Sequence, residues 1–89
     1  MLKKMYCQFK DEIDGAKEYF ECSLKHRDNR PDFAKMYSSM GSTELEHASD
    51  LLGMVKKLSQ GHPEENGGIL VEIMEEQLMR AKAMRSAME

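Results

Sequence analysis

Residues 32–59, from Asp32 to Ser59, read DFAKMYSSMGSTELEHASDLLGMVKKLS. No proline interrupts the run. Its apolar side chains, Phe33, Met36, Tyr37, Met40, Ala48, Leu51, Met54, Val55 and Leu58, recur in alternating steps of three and four. That spacing winds a single stripe along an α-helix. Pro31 stands just ahead of it, where the first turn of a helix tolerates a missing N–H.

The same pattern extends to both sides. Upstream, residues 3–27 carry Met5, Phe9, Ala16 and Tyr19, with Tyr6, Ile13 and Phe20 beside them. Downstream, residues 69–88 carry Leu70, Ile73, Met74, Leu78, Ala81, Met84 and Met88. Breaker-rich segments separate the three runs. One holds Asp28, Asn29 and Pro31 as turn and capping residues; the other holds Gly61, Pro63, Gly67 and Gly68. The 89 residues therefore predict one all-α domain with helices over about 3–27, 32–59 and 69–88. The short turn near Asn29 makes the first two helices an antiparallel hairpin. Each would be roughly 36–42 Å long. A lone hairpin cannot cover its own apolar stripe, so a second copy is expected to complete a four-helix bundle, with the third helix packing outside or building a larger assembly. The nine methionines suit adaptable helix surfaces of this kind.

Charge and composition exclude several functions. Thirteen Lys and Arg against sixteen Asp and Glu give a net charge of −3, which disfavours a nucleic-acid partner. No apolar run approaches the ~18 residues of a membrane span. The charged faces mix both signs, which is a poor membrane-surface pattern. The opening Met1-Leu2-Lys3-Lys4-Met5 reaches Asp11 before any apolar region forms, so no signal peptide and a cytoplasmic location are expected. Cys7 and Cys22 on one helix would stand about 22 Å apart, too far for a disulfide. No CxxC is present.

Within the second helix, Glu44-Leu45-Glu46-His47 forms a Glu-x-x-His pair. Side chains three apart share a helix face. Extending the apolar stripe through 33, 36/37, 40, 44, 47, 51, 54 and 58 puts Glu44 and His47 in the seam. A carboxylate buried there without partners costs several kcal/mol. The first helix carries the same anomaly: its stripe 5, 9, 12, 16, 19 includes Glu12. Glu18, by contrast, lies among Asp14, Gly15, Glu21 and Cys22 on a solvated face. With the turn centred between Asn29 and Arg30, Glu12 and His47 are equidistant from it. Glu44 is one turn nearer, ~4.5 Å along the axis. Three ligands thus converge at one level. Two such hairpins supply two Glu and two Glu-x-x-His, the ligand set of a dinuclear carboxylate centre. Four carboxylates then balance two divalent ions. Carboxylate and imidazole together suit iron, manganese or zinc. His26 and His62 flank turns and are expected in solvent, and Glu72, Glu75 and Glu76 form a charged face. The competing expectation is a polar layer that sets helix register in a non-catalytic oligomer or scaffold.

The run Glu12 to Tyr19, then Arg30-Pro31-Asp32, then Glu44-Leu45-Glu46-His47-Ala48 resembles the ferritin-like superfamily over roughly residues 9–58. It is most similar to the short encapsulated-ferritin proteins and to one half of rubrerythrin. The resemblance implies a di-iron centre shared between two subunits, at which Fe(II) is bound and oxidised for sequestration. Glu12 and His47 would be terminal ligands and Glu44 a bridge. Tyr19 would line the site, and Asp11 and Asp14 would form a secondary acidic site near its entry. Manganese or zinc could substitute for iron. The partners implied are a second copy or a higher homo-oligomer, with a surrounding protein shell. The paired CxxC motifs that serve electron transfer in rubrerythrin are absent. The scaffold alternative corresponds to a degenerate ferritin-like core.

Overall fold

A computed structural model describes residues 1–61 and 67–88. Its elements are three helices, α1 Leu2–His26, α2 Pro31–Gly61 and α3 Gly67–Met88, with no strand among the described residues. The expected bounds are met within two residues. His62, expected in solvent, lies outside the described residues. No described helix is long and apolar enough to cross a membrane.

Local chemistry places the turn between α1 and α2. Lys25 and His26 occupy the last turn of α1, where cations meet the negative end of the helix dipole. The Arg30 N–H donates to the His26 carbonyl at 2.9 Å and carries the chain around. Pro31 then opens α2, with Asp32 in its first turn at the positive end. The Arg30 guanidinium bonds both Asp32 oxygens, at 3.3 and 3.1 Å, and holds that carboxyl below the usual range. It also lies 3.9 Å from the centre of the Phe33 ring. Behind the turn, the Ser23 hydroxyl donates to the Ala34 carbonyl at 2.6 Å, a buried bond from α1 to α2.

One apolar cluster joins all three helices. α1 contributes Leu2, Phe9, Ile13, Ala16 and Phe20; α2 contributes Leu45, Ala48, Leu52 and Val55; α3 contributes Met74, Leu78 and Ala81. α3 thus packs against its own hairpin and shares its core. Gln77 of α3 donates to the Tyr6 hydroxyl at 3.3 Å, and Lys56 pairs with Glu75 at 3.2 Å. Gly67 starts α3 against Ser59, where a Cβ would collide.

The phase of α2 also differs from the expected stripe. The buried face runs Ala34, Gly41, Leu45, Ala48, Leu52 and Val55, one residue on from 33, 36, 40, 44, 47, 51, 54 and 58. One residue is about 100° of rotation. Small side chains are the reason. Ala34, Gly41 and Ala48 let α2 approach its neighbours closely, and the Phe20 ring fills the space over Gly41, 2.5 Å from where a Cβ would stand. Phe33, Met36, Met40 and Met54 are left 37–49% exposed as a second, uncovered apolar stripe. α1 shifts similarly, burying Ile13 and Phe20 and leaving Glu12 and Tyr19 half-buried at its edge. On α3, Ile73 leaves the expected stripe and is 42% exposed. Glu72, Glu75 and Glu76 are exposed as expected.

His26 is a further correction, since it is half-buried rather than solvated. Its Nδ1–H donates to the Cys22 carbonyl at 2.8 Å, and its ring sits between Tyr37 and Phe33, with centroids 5.5 and 6.0 Å away. Cys7 and Cys22 are free thiols.

This packing gives two glycines of α2 opposite behaviour. Gly41→Ala should destabilise the chain by about 1–3 kcal/mol through overpacking against Phe20. Gly53→Ala, whose added Cβ meets nothing within 4 Å, should stabilise it by about 0.5–1 kcal/mol through helix propensity. Urea unfolding of the two variants checks both signs.

Candidate metal centre

Antiparallel pairing of α1 and α2 sets Glu12 opposite His47, and the i, i+3 spacing puts Glu44 on the same edge of α2 as His47. The outcome matches the register read from the turn. One ligand atom from each of Glu12, Glu44 and His47 lies within 4.8 Å of the others. His47 Nδ1 stands 3.5 Å from Glu12 Oε2. Glu18 is exposed, so Glu12 is the α1 carboxylate that meets α2.

The burial of this group departs from the expected interior seam. Glu44 is half-buried and the His47 side chain is 54% exposed. The triad sits on an open edge of the hairpin because the rotation of α2 carries positions 44 and 47 out of the core. The Glu12 side chain is 27% exposed, yet its Oε2 is buried and has no hydrogen-bond donor. The imidazole, at 3.5 Å, is too far to serve as one.

Two carboxyls side by side must compete for protons. Contact with the Glu12 carboxyl pushes the Glu44 carboxyl above its ordinary value of 4.5. Burial and the negative charge of Glu12 push the same way, and only His47 opposes them. When both carboxyls are ionised, their like charges face each other across the hairpin.

These donors fit a divalent ion. Ligand oxygens and nitrogens stand about 2.0–2.2 Å from such an ion, so two on one ion can be up to ~4.2 Å apart. A 4.8 Å spread closes to that with small side-chain rotations. An orphaned buried carboxylate oxygen is the kind of atom a cation would satisfy. The carboxylate and imidazole donor set suits iron, manganese or zinc. Three protein ligands leave further coordination positions to water or to another chain.

The other expected site residues are Asp11, Asp14 and Tyr19. Asp11 and Asp14 are exposed on α1 and belong to no cluster of three metal-binding side chains among the described residues. Tyr19 is half-buried and stacks on Tyr37, with centroids 6.3 Å apart and planes 24° apart. It lies seven residues from Glu12, ~10 Å nearer the turn. Tyr37 counts among apolar stripe positions in the sequence, and nothing there marks it as the partner of Tyr19. Compared with known protein families, curated proteins and solved structures, the chain matches none.

The raised Glu44 carboxyl has a measurable sign. Above pH 4.5 the folded chain keeps a proton that the unfolded chain has lost, so metal-free stability falls as pH rises through that range. Glu44→Gln keeps the shape and cannot ionise. In chelator at pH 7 it should melt above the native protein, with the gap shrinking toward pH 4. Thermal melts from pH 4 to 8 test this, and a lower melting point at pH 7 would contradict it.

Proposed function

We propose that this chain is a ferritin-like iron protein whose triad is half of a dinuclear site, completed by a second copy of the chain. The observation carrying this reading is a coincidence on one face. Glu44 and His47 share the edge of α2 with Phe33, Met36, Met40 and Met54, an apolar stripe that α1 and α3 leave partly exposed. A half-set of ligands and an open hydrophobic seam thus lie side by side. A two-fold pairing across that face is isologous and brings each surface onto its own copy. It buries apolar side chains at about 25 cal/mol per Å² and excludes water from the carboxylates.

In this reading Fe(II) is the substrate. Two bound Fe(II) supply one electron each to dioxygen, and with two protons the products are Fe(III) and hydrogen peroxide. The chain's own residues do the rest. Two Glu12 and two Glu44 carboxylates offset the charge of two ions and favour the higher oxidation state. His47 contributes a neutral donor on each side. By the resemblance, Glu44 would be the bridging carboxylate. Tyr19 and Tyr37 stack on each other on the turn side of the triad. Manganese and zinc suit the same donors, and zinc would act as a redox-inert competitor.

Anaerobic titration of the native chain with Fe(II) should saturate near about one iron per chain, as the two-fold ligand set requires. Admitting air should then produce ferric absorbance. Light scattering should report a dimer. Glu44→Ala and His47→Ala should abolish tight binding while leaving the helical signal intact. Met40→Lys should give monomers that bind iron weakly. A chain that binds no iron, and whose melting point ignores chelators, would instead be a non-catalytic helical scaffold.

A further inference from the structure

Gly15 lies in the middle of α1, between Glu12 and Tyr19 along the edge that meets α2. A glycine inside a helix is less stable than alanine, so a reason for it should be visible nearby. Four other glycines divide cleanly. Gly41 makes room for the Phe20 ring and Gly67 for Ser59, which are packing reasons; Gly53 and Gly68 would meet nothing within 4 Å. Gly15 faces a member of the triad. A Cβ there would stand 3.2 Å from Glu44 Oε2, 3.6 Å from its Cδ and 3.9 Å from its Cγ. The three nearest atoms all belong to Glu44.

We propose that Gly15 is a positioning residue of the metal centre, a notch in α1 that seats the Glu44 carboxylate within reach of Glu12 and His47. This inference rests on reading the triad as a metal site. Without a side chain at 15, the Glu44 carboxylate lies against the α1 backbone, where it meets the Glu12 carboxyl. An added methyl would push Glu44 Oε2 back by a few tenths of an ångström. The glutamate is long and flexible, so the fold absorbs that retreat. The ligand set is less tolerant, because its atoms must close from a 4.8 Å spread onto one ion, and a retreat of Glu44 away from α1 adds to the distance to be closed. A packing role predicts the opposite pattern: if Gly15 served helix approach, as Gly41 does, its loss would destabilise the metal-free fold.

The test compares Gly15→Ala with Gly53→Ala in the full chain. Zn(II) serves as a redox-inert calorimetric probe, and melting is followed in chelator. Gly15→Ala should raise the metal-free Tm by a few degrees, as a Gly to Ala change in a helix of a domain this size does. It should weaken Zn(II) binding about tenfold, the usual scale for a residue that orients a ligand. Gly53→Ala should give the same Tm gain with unchanged affinity. If Gly15→Ala binds Zn(II) as tightly as the native chain, or lowers the metal-free Tm, the positioning role is overturned. If the native chain itself binds no Zn(II), the metal reading falls, an outcome distinct from a native chain that binds and a Gly15→Ala variant that binds equally well.

Discussion

The close approach of α1 and α2 where the Phe20 ring lies over Gly41 governs the rest of the molecule. Ala16 and Ala48 are fully buried nearby and are equally short. Helices approach most closely where side chains are small, and dispersion contacts accumulate there. α2 therefore turns its Ala34, Gly41, Leu45, Ala48, Leu52, Val55 face inward. α3 finds its place against the same surface, through Met74, Leu78 and Ala81. The opposite consequence is the uncovered stripe of Phe33, Met36, Met40 and Met54, with the triad beside it.

That geometry also sets two carboxyls side by side in the single chain. Glu12 and Glu44 are held together across the hairpin, and Glu12 Oε2 is buried without a donor. The carboxyls repel when both are ionised, and His47 offsets this only in part. Gly15 adds a further weakness to α1. Local departures from the most stable choice gather at one level of the hairpin, which is where a functional site is expected to break local rules. Elsewhere the chain is locally consistent. Pro31 opens α2, basic residues close α1, Asp32 pairs with Arg30, and Ser23 bridges to Ala34.

Much of the triad is legible in the amino-acid sequence. Glu44 and His47 stand three apart on an uninterrupted helix, and Glu12 and His47 are equidistant from a short turn. Both are distances along a chain, and helix rise converts them directly into height. The solvent exposure of His47 is not legible there, nor are the stacking of Tyr19 on Tyr37 and the packing of half-buried His26 against Tyr37 and Phe33. These depend on rotation about the helix axes. Asp11 and Asp14 sit on the exposed side of α1.

Three helices, their breaks near Asn29 and Gly67, and the level at which Glu12 meets His47 follow from periodicity, turn chemistry and rise per residue. These are one-dimensional quantities. The choice between two adjacent apolar stripes on α2 is of another kind. The larger side chains, Phe33, Met36, Met40 and Met54, dominate a reading by hydrophobicity. The smaller ones, Ala34, Gly41 and Ala48, win in three dimensions because they allow the backbones to close. One residue of phase, about 100° of rotation, separates a triad buried in a seam from a triad open at an edge.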